Sequence, residues 1–339
     1  MKLPEAASTH NIAELVTHPE KGETVISRIP ESLRICLNDN AKQRALNSTG
    51  CELRFRLNGP RATIRIRACE VLATHHGGGL AQVLFGDFSR TYLPITVGTP
   101  IEYEIEAPDY EMLERATGPN THFNPRLVRI LLPTHASISA VEIDGDISPA
   151  LASDLPRKRI LNYGSSITHG SGAINSRETW AGRCAHILGA DFINLGFGGG
   201  CHCEPEMTDY LCQRKDFDLA ILETGINMLG LETELTNQRI ETLIQKFSAA
   251  HADKPTFCIG VFPCRDDVTH SYQGRAQEIR EHVKSIVAGL DAPNLHFIDA
   301  RNLLTHATGM TSDLTHPSPA GMIETGGNVA AEIQRILAK

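Results

Sequence analysis

The chain of 339 residues has no run of 18 apolar residues, so no segment reads as a membrane-spanning helix. It lacks strong compositional bias: 41% of residues are hydrophobic, 21% are charged, and glycine and proline are spread along the chain. Disordered, collagenous and coiled-coil proteins each need such a bias, and all three are excluded. There is no excess of positive charge either. A net charge of -8 argues against a dedicated nucleic-acid binder. The first 21 residues are polar and carry no apolar core, so they do not read as a secretory signal. The nine cysteines are odd in number and scattered, without the spacing of a disulfide framework. They read as small buried hydrophobes in a reducing compartment, and the expected location is the cytoplasm. No internal repeat or low-complexity tract stands out.

What is present changes character near residue 150. Before it, apolar and polar residues alternate with period two. Leu53, Phe55 and Leu57 interleave with Glu52, Arg54 and Arg56; Ile64 and Ile66 with Arg65 and Arg67; Ile101, Tyr103 and Ile105 with glutamates. That pattern marks antiparallel strands with one face on a core and one in water. Turn clusters such as Asn58-Gly59-Pro60, Gly77-Gly78-Gly79 and Gly98-Thr99-Pro100 separate the runs. Residues 1–150 are therefore expected to form a small antiparallel β-sandwich. From 156 to 339, five buried strand-like runs (159–163, 192–197, 219–223, 257–262 and 295–298) alternate with helical periodicities. These predict an α/β domain with a doubly wound, parallel, five-stranded sheet. In such sheets ligands bind beyond the carboxyl ends of the strands, so the residues after each run carry the most information.

After the first run comes Gly164-Ser165-Ser166-Ile167-Thr168. A serine at a strand-to-helix turn presents its hydroxyl beside the free N–H groups of a helix start, and it equally serves as a plain N-cap. After the second comes Gly196-Phe197-Gly198-Gly199-Gly200, whose backbone N–H groups suit an oxyanion and also suit an ordinary turn. After the third comes Asn227, whose carboxamide is a further donor or a turn cap. Before the last helix lies Asp313-Leu314-Thr315-His316-Pro317. There a carboxylate three residues ahead of a histidine can hold one imidazole nitrogen and leave the other as a base.

In this order the four blocks resemble those of the SGNH hydrolases, the GDSL esterases and lipases, over residues 155–339. The wording around Tyr163 and Asn194 resembles the subgroup with an amino-terminal, jelly-roll-like sandwich, such as the family 2 carbohydrate esterases. The resemblance implies Ser166 as nucleophile, His316 as its base and Asp313 as the group that orients His316. It implies an oxyanion hole made by the Ser166 and Gly199 N–H groups and the Asn227 side chain. It further implies an enzyme without a cofactor or metal, acting on a small-molecule or oligosaccharide ester, with no nucleic-acid or membrane partner. Two positions depart from the family pattern. Ser165 stands where an aspartate is usual, and Met228 follows Asn227 where another aspartate is usual.

Other features carry plainer readings. Cys201-His202-Cys203 is too tight a spacing for a zinc site and has no second pair nearby. His169, Cys201 and His202 are instead expected to line the substrate pocket. The arginines at 54, 56, 65 and 67 are expected to pair with glutamates across strands on a solvated face. The single tryptophan, Trp180, is expected to pack in the core. The preferred reading is a serine esterase for short acyl groups, acetyl foremost. A lipase or acyl-thioesterase using the same residues, or an inactive glycan-binding protein, stand as alternatives.

Overall fold

The structure, a computed structural model, describes residues 1–72 and 79–338. Gly77 and Gly78, read above as part of a turn, lie outside the described residues. The strands run in chain order as β1 (Ser8–His10), β2 (Glu14–Thr17), β3 (Thr24–Ser27), β4 (Glu52–Val71), β5 (Leu80–Phe85), β6 (Phe88–Pro94), β7 (Ile101–Glu106), β8 (Leu127–Leu131) and β9 (Ala136–Pro149). Then follow β10 (Lys158–Gly164), β11 (Ala190–Gly196), β12 (Leu219–Glu223), β13 (Thr256–Ile259) and β14 (Leu295–Ile298).

The first part is antiparallel. Its organising element is β4, which pairs with β1 and β8 along its first half, with β7 along its second, and with β9 through both. Leu53, Phe55, Ile64 and Ile66 are sealed in one core with residues of β5, β8 and β9, as the alternation requires. The outer face of β4 divides. In the second half Arg65 stands opposite Glu102 and donates to it at 2.6 Å on an exposed surface. Arg67 pairs instead with Glu23.

The first half corrects the expectation of a solvated face. Arg54 is buried, with a two-pronged pair to Asp191 at 2.6 and 2.9 Å and a further bond to Glu52 at 2.8 Å. Glu52 is also held by Arg129, and Phe123 lies beneath both guanidinium groups. Arg56 makes a two-pronged pair with the buried Asp154, in the connection to the second part. Period-two alternation is the same whether the polar face meets water or a neighbouring domain. Here it meets a domain.

The second part is a parallel sheet of order β11-β10-β12-β13-β14, with helices between successive strands. Each residue of β11 is buried, as expected of a strand covered on both faces. Trp180 is fully buried at the start of the helix Trp180–Ile187, 6.1 Å from Phe262. The strand expected at 257–262 ends at Ile259, because Arg280 draws the Val261 and Phe262 carbonyls out of the ladder.

The two parts are bound tightly. Ile29, Leu37, Ala41 and Ala45, from the first 150 residues, belong to the core of the parallel sheet. Arg28, buried, donates at 2.7–2.8 Å to the carbonyls of Arg44, Asn47, Asn194 and Gly196, so it clamps that segment to the end of β11. Burial pulls its pKa down to about 10, still high enough to keep the charge. All nine cysteines are free, and seven of them are buried. Among the described residues no helix is long and apolar enough to cross a membrane.

Candidate active site

The order of the parallel sheet reverses at β10, so loops after β10, β11 and β12 converge at its carboxyl edge. There lies a cleft of about 580 Å³ lined by Ser166, Gly198, Gly199, Asn227 and His316. Ser166 opens the short helix Ser166–His169, directly after β10. Ser165 caps that helix, its hydroxyl accepting from the Ile167 N–H at 3.1 Å. Its own N–H donates to Glu223 at the end of β12, at 2.6 Å, and Thr168 donates to the same carboxylate oxygen at 3.0 Å. Burial raises the Glu223 pKa, against the hydrogen bonds from Ser165 and Thr168. Ser165, where an aspartate is usual, therefore serves as the helix cap. Glu223 braces the same turn from below, a role no local pattern announced.

Beside the serine, Ser166 Oγ and His316 Nε2 are 2.8 Å apart, and His316 Nδ1 lies 2.6 Å from Asp313 Oδ2. Asp313 Oδ1 accepts from the Thr311 hydroxyl and from the backbone N–H groups of Thr315 and His316, at 2.7, 2.8 and 3.0 Å. Burial works to raise the Asp313 pKa, but these bonds, the His316 ring foremost, hold it well below the usual carboxylate range. An ionised Asp313 accepts a hydrogen bond from Nδ1–H and so keeps the hydrogen on that nitrogen. The lone pair of Nε2 then faces the serine hydroxyl.

On the other side of Ser166, Gly199 has φ of +70°, a conformation glycine adopts without strain. Among the described residues neither the Ser166 N–H nor the Gly199 N–H is engaged by another group. The Asn227 carboxamide oxygen accepts from the Cys201 N–H at 3.1 Å, which leaves its NH2 as the end available to a ligand. Met228 is fully buried, so an aspartate there would bring a charge into the core.

Three expectations about the lining fail. His169 is fully buried, with one ring nitrogen on the Gly196 carbonyl and the other on that of Thr134. Cys201 is sealed in the core, its thiol on the Glu223 carbonyl. His202 is half-buried, and the described wall of the cleft includes none of the three. They follow the site in sequence, but packing behind the loops buries His169 and Cys201.

The wall is built instead by Asn40, Arg44, Leu72 and His135 of the first part, facing Ile226 and Tyr272 of the second. Asn40 donates to the Gly199 carbonyl at 3.1 Å, and His135 shares a hydrogen bond with Ser171 at 3.1 Å. None of these was legible in the sequence, since each lies far along the chain from the residues it joins.

Residues 163–322 match the GDSL-like lipase/acylhydrolase family. No curated protein matches the chain. Among solved structures, a salicylyl-acyltransferase from a tetracycline biosynthetic pathway is similar at a TM-score of 0.76 and 18% identity, over 98% of this chain and 95% of that one. A putative GDSL-like lipase from Bacteroides ovatus follows at 0.72 and 19%, over 98% of each chain. A family 2 carbohydrate esterase from Cellvibrio japonicus reaches 0.61 and 16%, over 98% of this chain and 99% of that one. At such identities the likeness speaks for the fold, in both of its parts. The carboxyl-terminal part is thus similar to the GDSL-like lipase/acylhydrolase family over residues 163–322, and the whole chain shares the two-part fold of these structures.

Proposed function

We propose that the protein is a serine esterase that removes short acyl groups, acetyl foremost, from a carbohydrate or similar hydroxylated compound. The observation that carries this reading is the chain of contacts from Asp313 through His316 to Ser166, at 2.6 and 2.8 Å. His316 Nε2 takes the hydroxyl proton as Ser166 Oγ attacks the ester carbonyl. The carbonyl oxygen becomes an oxyanion among the Ser166 N–H, the Gly199 N–H and the Asn227 NH2, which no other group among the described residues engages. Collapse expels the alcohol, which receives the proton from His316. Water then attacks the acyl-serine with the same histidine as base, and the acid leaves.

Two features support the substrate class. Solved structures of this fold include family 2 carbohydrate esterases, one from Clostridium thermocellum in complex with cellohexaose. The cleft wall mixes Asn40, Arg44 and His135 with Leu72 and Ile226. The complete Asp–His–Ser chain also favours an enzyme over a purely glycan-binding protein.

The test sets wild type beside Ser166→Ala on p-nitrophenyl esters of increasing chain length and on acetylated sugars. Wild type should act on acetate and fall off steeply beyond butyrate, and the variant should be inactive while keeping its fold. Undiminished turnover by Ser166→Ala would overturn the proposal, as would failure of a fluorophosphonate to label Ser166.

A further inference from the structure

Arg44 lines the wall of the Ser166 cleft, and its side chain has no partner among the described residues. Its side chain is half-buried, and Nη1 is sealed from solvent with no hydrogen bond. Among the described residues it makes no ion pair. The five fully buried arginines are different. Arg28 is held by four carbonyls, Arg34 by Glu31, Arg54 and Arg129 by Glu52, and Arg280 by Asp267. Burial lowers the Arg44 pKa, opposed only by Glu70, which stands beyond ion-pair distance and accepts from the Ser137 hydroxyl. A buried cationic nitrogen left unmatched is costly, and it marks a site that a ligand completes.

Its place is fixed by the fold. The Arg44 carbonyl is held by Arg28, which also holds the Gly196 carbonyl at the start of the glycine loop. A Cβ built on Gly198 would stand 3.5 Å from Arg44 Nε and 3.5 Å from Ser166 Cβ. The guanidinium and the serine thus flank one glycine, within about 7 Å of each other. A second arginine, Arg265, lines the cleft, donates to the Tyr272 hydroxyl and makes no ion pair among the described residues. Among the described residues, no aspartate or glutamate lines the cleft. The two cations act on the same space, which concentrates anions there.

We propose that this cleft selects esters that carry an anionic group, a carboxylate foremost, which pairs with Arg44 while the ester carbonyl lies at Ser166. The proposal rests on the esterase reading and names its substrate class: an acylated sugar acid or hydroxy acid, or a half-ester of a diacid. A carboxylate in the cleft matches the planar fork of Arg44 through Nε and Nη2, the nitrogens that are not sealed from solvent.

Two substrate pairs differ only in that charge. One is an acetylated methyl glucuronoside with a free carboxylate, against its methyl ester. The other is 4-nitrophenyl hydrogen succinate, against 4-nitrophenyl 4-methylpentanoate. Wild type should prefer the anionic member of one pair by about tenfold or more in kcat/KM, the size of a charge-assisted pair. That ratio should collapse in Arg44→Met and recover in part in Arg44→Lys. A preference in the first pair places the anion on the alcohol, and one in the second places it on the acyl group. A ratio that Arg44→Met leaves unchanged in both pairs overturns the proposal. Equal loss on both members of a pair also overturns it, since that would assign Arg44 to the oxyanion or to the fold. If wild type hydrolyses no ester, the esterase reading fails, and binding alone decides the anion site. Sodium glucuronate and sodium succinate are then titrated calorimetrically into Ser166→Ala, with and without Arg44→Met. Saturable binding that requires Arg44 supports the site, and its absence overturns it.

Discussion

Arg54 of the amino-terminal sheet and Asp191 of the parallel sheet form a two-pronged ion pair, each side chain only 3% exposed. The pair is one link of a buried cluster with Glu52, Arg129 and His10, so each charge has a partner from another element. Removing one member leaves the others charged and dry. Arg54→Met should therefore cost about 3–5 kcal/mol, read as a lowered urea midpoint. A change within about 0.5 kcal/mol would show that the cluster is not what binds the two parts.

The same cluster sets an acid limit. Burial works to raise the Glu52 pKa, but Arg129 and Arg54 outweigh it and bring it to about 2; Asp191 is lowered in the same way. Carboxylates lowered by folding contribute fully above their unfolded values near 4, and that contribution is lost as pH falls toward about 2. Buried histidines act earlier. Burial lowers His135 to about 3 and holds His169 well below the ordinary imidazole value, and the two rings lie 4.3 Å apart. Both stay neutral in the fold while the unfolded chain takes up protons below about 6.5. Stability should decline from pH 6.5 downward by on the order of 1.4 kcal/mol per unit for each such ring. Denaturation midpoints that stay level from pH 7 to 5 would show these rings charged in the fold.

Asp313→Asn should lower kcat by on the order of 10² to 10⁴ while the fold survives. The amide keeps an oxygen for the Thr315 and His316 N–H groups, but it no longer imposes the hydrogen on Nδ1 or stabilises the imidazolium. Full activity in this variant would remove Asp313 from the mechanism.

Asn227→Ala tests the oxyanion assignment. It deletes the NH2 that faces the cleft, and with it the oxygen that anchors Cys201 N–H. Loss of one such donor costs about 10² to 10³ in kcat, with KM changing little. A rise in KM alone would mean that Asn227 only holds the ground-state substrate.

Gly172→Ala should disturb catalysis from outside the cleft. Gly172 has φ of +103°, and a Cβ there would stand 1.9 Å from the Pro317 carbonyl oxygen, next to His316. The turn carrying the base must shift. A displacement of about 1 Å at the reacting groups costs on the order of a hundredfold in kcat. Undiminished activity would show that the turn yields without moving His316.

Much of this protein is legible along the chain. β12 and β14 occupy the residues expected for them, because short apolar runs bounded by turns leave few alternatives. The ordered serine, glycine, asparagine and histidine blocks are local patterns at strand ends, and the fold brings them to one cleft. The expectations that failed concern direction. His169 and Cys201 follow the right loops, yet the packing beneath turns them inward. Arg54 and Arg56 sit on the right strand face, but that face meets a domain instead of water.

Sequence alone settled the antiparallel and parallel parts and the order of the catalytic blocks, since periodicity and short turns are encoded within a few residues of one another. Tertiary structure alone decided the wall of the cleft. Asn40 and Arg44 reach the Ser166 cleft only because residues 29–45 pack on the parallel sheet and Arg28 clamps them to β11. Contacts between residues 120 and more positions apart leave no period or spacing in one sequence. They arise when two domains bury a common core, and that burial gives a plain serine site its arginine and its charge.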